Sequence, residues 1–163
     1  MQYDKPTTEN HQLSLKNPKC LEMLDKIIVD EGGSCSRKLG NDVVVLNLDK
    51  VAKGLKAART ISTMDMTFGV TDENGKNAKM VLVDFKFRHK TVSTIGKSDL
   101  EDKVKDSRDI MGNIPPILPQ CYFVFTTKLT NQATRHIARI FNNKPSIPYK
   151  SVDINDLLTM FFQ

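Results

Sequence analysis

Met64-Asp65-Met66-Thr67-Phe68-Gly69-Val70 and Met80-Val81-Leu82-Val83-Asp84-Phe85-Lys86-Phe87-Arg88 are the two segments whose reading decides the fold. Between them lies Thr71-Asp72-Glu73-Asn74-Gly75-Lys76-Asn77. Asn-Gly between two apolar runs is the strongest short signal for a β-hairpin. In an antiparallel pair the start of one strand lies beside the end of the next. Asp65 opens the first strand, and Asp84-x-Lys86 closes the second. Two carboxylates and an ammonium are therefore expected to converge. Side chains alternate along a strand, so Asp84 and Lys86 share one face while Val83, Phe85 and Phe87 share the other. The apolar set then packs, and the polar pair faces a groove. Carboxylate oxygens are the ligands that Mg²⁺ prefers. A lysine beside them would orient a water or stabilise a developing negative charge. The plainer alternative is an exposed strand edge carrying a surface ion pair.

Outward from the hairpin, the pattern alternates helices with strands. Residues 18–31 predict a helix capped by Asn17, with Leu21, Leu24, Ile27 and Ile28 on one face and Gly32-Gly33 as its stop. Residues 34–41 carry little pattern. Residues 42–48 are a β-branched run, and 49–60 predict a short helix. That helix would align Lys50, Lys53, Lys56 and Arg59 along one side, either as a solvated face or as a phosphate-facing row. After the hairpin, Ser98-x-x-Glu101 reads as a capping box opening a helix that Gly112-Asn113 ends. Cys121-Tyr122-Phe123-Val124-Phe125 is a strand covered on both faces. Another helix runs to about Phe141, a break follows at residues 142–145, and residues 148–152 form a short edge strand. A terminal helix then docks Leu157, Leu158, Phe161 and Phe162 on the core. The fold class expected is α/β, a central mixed β-sheet flanked by helices. Residues 1–163 form a single domain whose first 16 residues are expected to be loose.

Composition narrows the class. The chain has 163 residues, 39% hydrophobic and 26% charged, which suits a globular domain with a sizeable core. Lys and Arg number 24 against 19 Asp and Glu, a net charge of +5 that permits a polyanionic partner. The three cysteines, Cys20, Cys35 and Cys121, form no C-x-x-C, so neither a disulfide framework nor a zinc knuckle is supported. The first fifteen residues lack the apolar core of a signal peptide, and no apolar run is long enough to span a membrane. A cytoplasmic protein without a membrane partner is expected. His11, His89 and His136 form no metal-binding spacing. Alternation sends His89 away from the acids, and His136 reads as a solvent-facing helix residue.

With its order of helix, strand, acid-bearing hairpin, helix, buried strand and helix, the chain resembles the restriction-endonuclease-like superfamily, whose motif is written PD-(D/E)xK. The likeness covers residues 18–141. Asp65 matches the first motif acid, Asp84 the second, and Lys86 the motif lysine; Met64 stands where the motif has proline. Asp72 also precedes D-x-K, but it sits by the turn, at the far end of the hairpin from Asp84. The resemblance implies a restriction-endonuclease-like core and a metal-dependent phosphodiesterase, a nuclease and hydrolase acting on DNA ahead of RNA. It implies Mg²⁺ or Mn²⁺ as cofactor, held by Asp65 and Asp84 and by a glutamate of the first helix. Glu22 takes that role first, with Asp25 and Glu31 behind it. Asp65, Asp84 and Lys86 would be catalytic. Arg88, with Lys53, Lys56 and Arg59, would meet nucleic-acid phosphates. A homodimer or a targeting protein partner would serve a small nuclease. The alternative is a catalytically inactive module of the same fold that binds nucleic acid or a protein.

Overall fold

The computed structural model describes residues 1–35, 39, 42–144 and 148–163. The chain starts with β1 (Gln2–Tyr3), α1 (Lys5–Glu9) and α2 (Gln12–Lys16). A single 3-10 turn (Pro18–Cys20) leads to β2 (Leu21–Met23), α3 (Leu24–Asp30), β3 (Val44–Asn47) and α4 (Leu48–Gly54). The hairpin follows as β4 (Met66–Thr71) and β5 (Lys79–Phe85). Then come α5 (Lys97–Met111), β6 (Ile117–Phe125), α6 (Thr127–Ile140), β7 (Tyr149–Asp153) and α7 (Ile154–Phe161). Among the described residues, one seven-stranded sheet runs β2-β3-β4-β5-β6-β7, with β1 beside β4. The pairs β2–β3, β3–β4 and β4–β5 are antiparallel, while β5–β6 and β6–β7 are parallel. The fold is thus α/β, with a mixed sheet flanked by helices.

The hairpin forms where its turn chemistry dictates. Gly75 and Asn77 adopt positive φ of 67° and 54°, and Asp72 accepts hydrogen bonds from the backbone of Asn74 and Lys76. The register follows, with Met66 opposite Val83 and Gly69 opposite Met80. Val81, Val83 and Phe85 join α3 and α7 in one core, around a fully buried Phe68. Met80 and Leu82 join α5 and α6 in the other, with Cys121 and Phe123 of β6. Both faces of β5 are therefore buried. Truncating Phe68 to alanine would cost about 3–5 kcal/mol. Asp84 and Lys86 continue the row of Met80 and Leu82, so the polar pair extends an apolar layer instead of facing an open groove. Asp84 is 0% exposed and Lys86 9%.

Several local expectations are corrected. The predicted helix over 18–31 shortens to α3, because Leu21–Met23 leaves the helical path to pair with β3. Gly32 ends α3 at φ 85°, as its sequence position suggests. The helix predicted for 49–60 stops at Gly54. Lys56 and Arg59 lie beyond it, and the four-residue basic row does not form. The N-cap of α5 is Gly96, with no side-chain cap, so Ser98 lies inside the helix and the capping box is absent. Residues 1–16 are seated on the sheet. Gln2 and Tyr3 pair with Thr71 and Val70, and Thr8, His11, Leu13 and Ser14 are buried. The sparsely patterned stretch at 34–41 and the break at 142–145 fall partly outside the described residues. Among the described residues no helix is long and apolar enough to cross a membrane.

Candidate metal and phosphate site

Asp65 stands immediately before β4, and its own carbonyl accepts from the Leu48 N–H at 2.9 Å. Because Met66 pairs with Val83, Asp65 comes level with Asp84 on the same face of the sheet. The Phe85 N–H donates to Asp65 Oδ2 at 2.5 Å. That bond fixes the carboxylate and leaves Oδ1 to face elsewhere. Asp84 is the penultimate residue of β5, opposite Phe123. Lys86 follows it, held by its own N–H donating to the Val124 carbonyl at 2.7 Å.

Two ammonium groups meet these acids. Lys103 Nζ, from α5, lies 2.5 Å from Asp84 Oδ1 and 3.8 Å from Asp65 Oδ1. Lys86 Nζ lies 2.6 Å from Asp84 Oδ2, but in a direction that makes no hydrogen bond, so among the described residues this buried oxygen has ionic contact alone. Burial of an ionised carboxylate is costly unless it is paired. The pairing here is incomplete for Asp65. Its burial, and next the charge of Asp84, raise its carboxyl well above the usual carboxylate range, to about 7. The charge of Lys103 and the Phe85 N–H pull the other way and do not win. Lys103 shows the converse. Burial works against its charge, but Asp84 and Asp65 overcome it and hold its pKa above the ordinary lysine value.

Lys103 was not legible as a site residue. Its sequence signal is slight: a lysine beside Val104, between the apolar positions of an amphipathic helix. Only the packing of α5 across β5 brings it to the acids. Beside it opens a groove of about 430 Å³ lined by Asp49, Lys53, Arg59, Thr63 and Lys103, among others. Lys53 pairs with Asp49 at 3.2 Å, and Arg59 forks onto Asp106 at 2.6 and 2.9 Å. The hydrogen bonds from Arg59, ahead of any opposing burial, hold Asp106 at about 2. Lys56 is exposed and does not line the groove.

Other expected site residues are placed elsewhere. Glu22 lies in β2 opposite Val45, whose side chain belongs to the core of α3 and α7. Its carboxylate accepts from Lys50 Nζ at 2.5 Å, Asn47 Nδ2 at 2.7 Å and Lys26 Nζ at 3.0 Å. The strand pairing of Leu21–Met23 turns it away from Asp65 and Asp84, so it does not join them. Asp25 is in the first turn of α3. Glu31 caps that helix at its far end, and its charge adds to the rise of Asp65. Arg88 donates to the carbonyls of Asp30 and Glu31 and so closes the C-terminus of α3. His89 escapes the alternation rule because β5 ends at Phe85 and residues 87–88 turn. Its imidazole is lowered first by burial and next by the Lys86 charge, and Asp84 and Lys103 also act on it. His136 is buried, not solvent-facing. Its Nε2 meets the Ile95 carbonyl at 2.8 Å, and Arg139 donates to Nδ1 at 3.0 Å.

Among the described residues, no three His, Cys, Asp or Glu side chains form a ready-made metal cage. Mg²⁺ does not demand one. It commonly takes one or two carboxylates and completes its shell with water and substrate phosphate. The Oδ1 atoms of Asp65 and Asp84 face a common ammonium, and Asp84 Oδ2 is buried with no hydrogen bond from any described residue. These donors fit a small divalent ion. No known family matches the chain, and no curated protein or solved structure matches it either.

Proposed function

We propose that the protein is a metal-dependent phosphodiesterase that cleaves nucleic acid, DNA ahead of RNA. The observation that carries this reading is the convergence of Asp65 Oδ1 and Asp84 Oδ1 on one cation position, with Lys86 beside it. The element order around the acids supports a restriction-endonuclease-like core: α3, β3, the β4–β5 hairpin, α5, β6 and α6. A net charge of +5 suits a polyanionic substrate.

Asp65 and Asp84 would hold Mg²⁺ or Mn²⁺. When bound, such an ion supplies Lewis-acid polarisation of a phosphate oxygen and a water acidified toward neutrality. The Phe85 N–H keeps Asp65 oriented, so the acid needs no reorganisation on binding. Lys86 keeps a positive charge within 2.6 Å of Asp84, where it orients water or offsets negative charge growing at the phosphate. Lys53 and Arg59 line the adjoining groove and attract the sugar–phosphate backbone. A homodimer or a targeting partner would let so small an enzyme address two strands.

The test is incubation of the purified protein with plasmid and single-stranded DNA in Mg²⁺ or Mn²⁺. Cleavage that stops in excess EDTA and in Asp84→Ala supports the reading. Cleavage that survives either one sinks the mechanism.

A second reading, an inactive module of this fold binding nucleic acid or a protein, is favoured by two observations. Lys103 already occupies the position between the two acids, and Glu22 is turned away from them. Intact DNA together with no calorimetric Mg²⁺ or Mn²⁺ binding in the millimolar range would decide for it.

A further inference from the structure

We infer that Lys103 is an exchangeable counter-ion, occupying the metal position in the metal-free protein and moving to a substrate phosphate when a divalent ion binds. This inference rests on the metal reading of the Asp65–Asp84 pair.

Position comes first. Lys103 Nζ is the only ammonium among the described residues within ion-pair distance of both carboxylates. It touches Oδ1 of each, the atoms that neither the Phe85 N–H nor Lys86 engages. A cation bridging Asp65 and Asp84 through those atoms would collide with it.

Charge makes the exchange necessary. With both carboxylates ionised, the two acids and two lysines are neutral together. A divalent ion added beside Lys103 would leave two uncompensated positive charges in a buried spot, which is costly. With Lys103 gone, one remains. The single negative charge of a phosphodiester balances it.

Space makes the exchange feasible. The Lys103 side chain is 24% exposed, against 11% for Lys86, so it is the one with a way out. That way is the groove of about 430 Å³, where Lys103 is a lining residue alongside Lys53 and Arg59. The helix itself stays tied to the chain beside Asp65, since the Met64 N–H donates to Ser107 Oγ at 2.8 Å. A rotation about side-chain bonds is enough. Lys103 then joins the cations that meet the backbone of the nucleic acid, so metal loading and phosphate binding favour each other.

The experiment is a pair of measurements on the full chain. Calorimetry compares Mg²⁺ and Mn²⁺ binding by the wild type and Lys103→Met. Mass spectrometry then follows acylation of the Lys103 amine in the wild type, in EDTA and at saturating Mn²⁺, with Lys53 as internal reference. Removing the competing ammonium should tighten metal binding about tenfold or more. Acylation of Lys103 should rise severalfold with Mn²⁺, relative to Lys53. Equal or weaker metal affinity in the variant overturns the inference, as does labelling that ignores metal. In those cases the metal reading survives, because the wild type has bound the ion. Absence of binding by both proteins removes the metal reading and the inference with it. If Lys103→Met does not fold, the wild-type labelling decides alone.

Discussion

Glu22 and the Asp65–Asp84 pair are both carboxylate sites served by two lysines, and they end in opposite electrostatic states. At Glu22 a single carboxylate receives Lys50, Lys26 and Asn47. Burial acts to raise it, but those donors outweigh burial and hold it at about 2. Both of its lysines are half-exposed. At Asp65 and Asp84, two buried carboxylates share two ammoniums, and Asp65 is driven up to about 7. The first site has more donors than acids and is finished. The second has only as many ammoniums as acids, and one buried oxygen that receives no hydrogen bond among the described residues. An acid that is fully served holds structure. An acid left short is disposed toward a further cation.

The largest expected effect tests whether the second site does chemistry. Asp84→Ala should lower plasmid cleavage by about 10²–10³-fold or more, the scale of losing a principal electrostatic group. Glu22→Gln should leave cleavage unchanged in the same assay. Equal losses in both would erase the distinction between the sites.

Lys86 comes next. Its side chain is only 11% exposed and paired with a fully buried Asp84, so Lys86→Ala should destabilise the fold by about 3 kcal/mol in urea titration. This departs from the solvated lysine that the sequence suggests, whose loss the fold would ignore. Lys86→Arg keeps a charge, yet its planar, bulkier head cannot occupy the same spot or release a proton. It should lose most turnover. Full turnover in Lys86→Arg would reduce the lysine to a structural ion pair.

Asp65→Asn should stabilise while it inactivates. The amide oxygen keeps the bond from the Phe85 N–H, and the ionisation penalty disappears. In metal-free buffer at pH 8 the gain should be on the order of 2 kcal/mol. The pH dependence has a defined sign. The folded carboxyl lies at about 7 against the ordinary 3.8, so the folded state binds the extra proton between those values. Its contribution to metal-free stability therefore falls as pH rises through that window. Urea midpoints should show this decline in the wild type and lose it in Asp65→Asn.

The smallest effect belongs to Glu22→Gln, about 1 kcal/mol of stability, since its lysines are solvent-screened. Here the pH slope reverses. The contribution of Glu22 is present above 4.5 and fades as pH falls toward 2. A Glu22→Gln variant with wild-type stability at pH 7 would show that its three donors add nothing net.

What could be read from the chain was whatever local rules determine. Asn74-Gly75 fixed the turn, the turn fixed the register, and period-two alternation put Asp84 with Lys86 beside Asp65. Tertiary choices were hidden. Lys103 reaches the acids only because α5 packs across β5. Leu21, Glu22 and Met23 satisfy a helical period, yet a neighbouring strand claims them and turns Glu22 away. His89 follows a turn that alternation does not foresee. Gly54 did carry a stop signal for α4, and the spacing of the lysines around it masked that signal. Residues 1–16 look loose because, Leu13 apart, their buried groups are polar. Thr8 Oγ1 accepts from the Gly69 N–H, and Ser14 Oγ donates to the Thr8 carbonyl. Hydropathy does not register such connectors.

The short β3 pairs with β4 at Met66 and Thr67, and β1 takes the same flank at Val70 and Thr71. Between them the Asp4 N–H donates to the Gly69 carbonyl, and a Cβ on Gly69 would come within 2.4 Å of Thr7. A single hydrogen atom at position 69 thus lets α1 lie against the strand. If Gly69 became alanine, or residues 1–16 were clipped away, one flank of β4 would bare its amides and carbonyls. Naked strand edges recruit one another. The resulting fault would be self-association into oligomers and aggregates, with the geometry of the Asp65–Asp84 pair untouched.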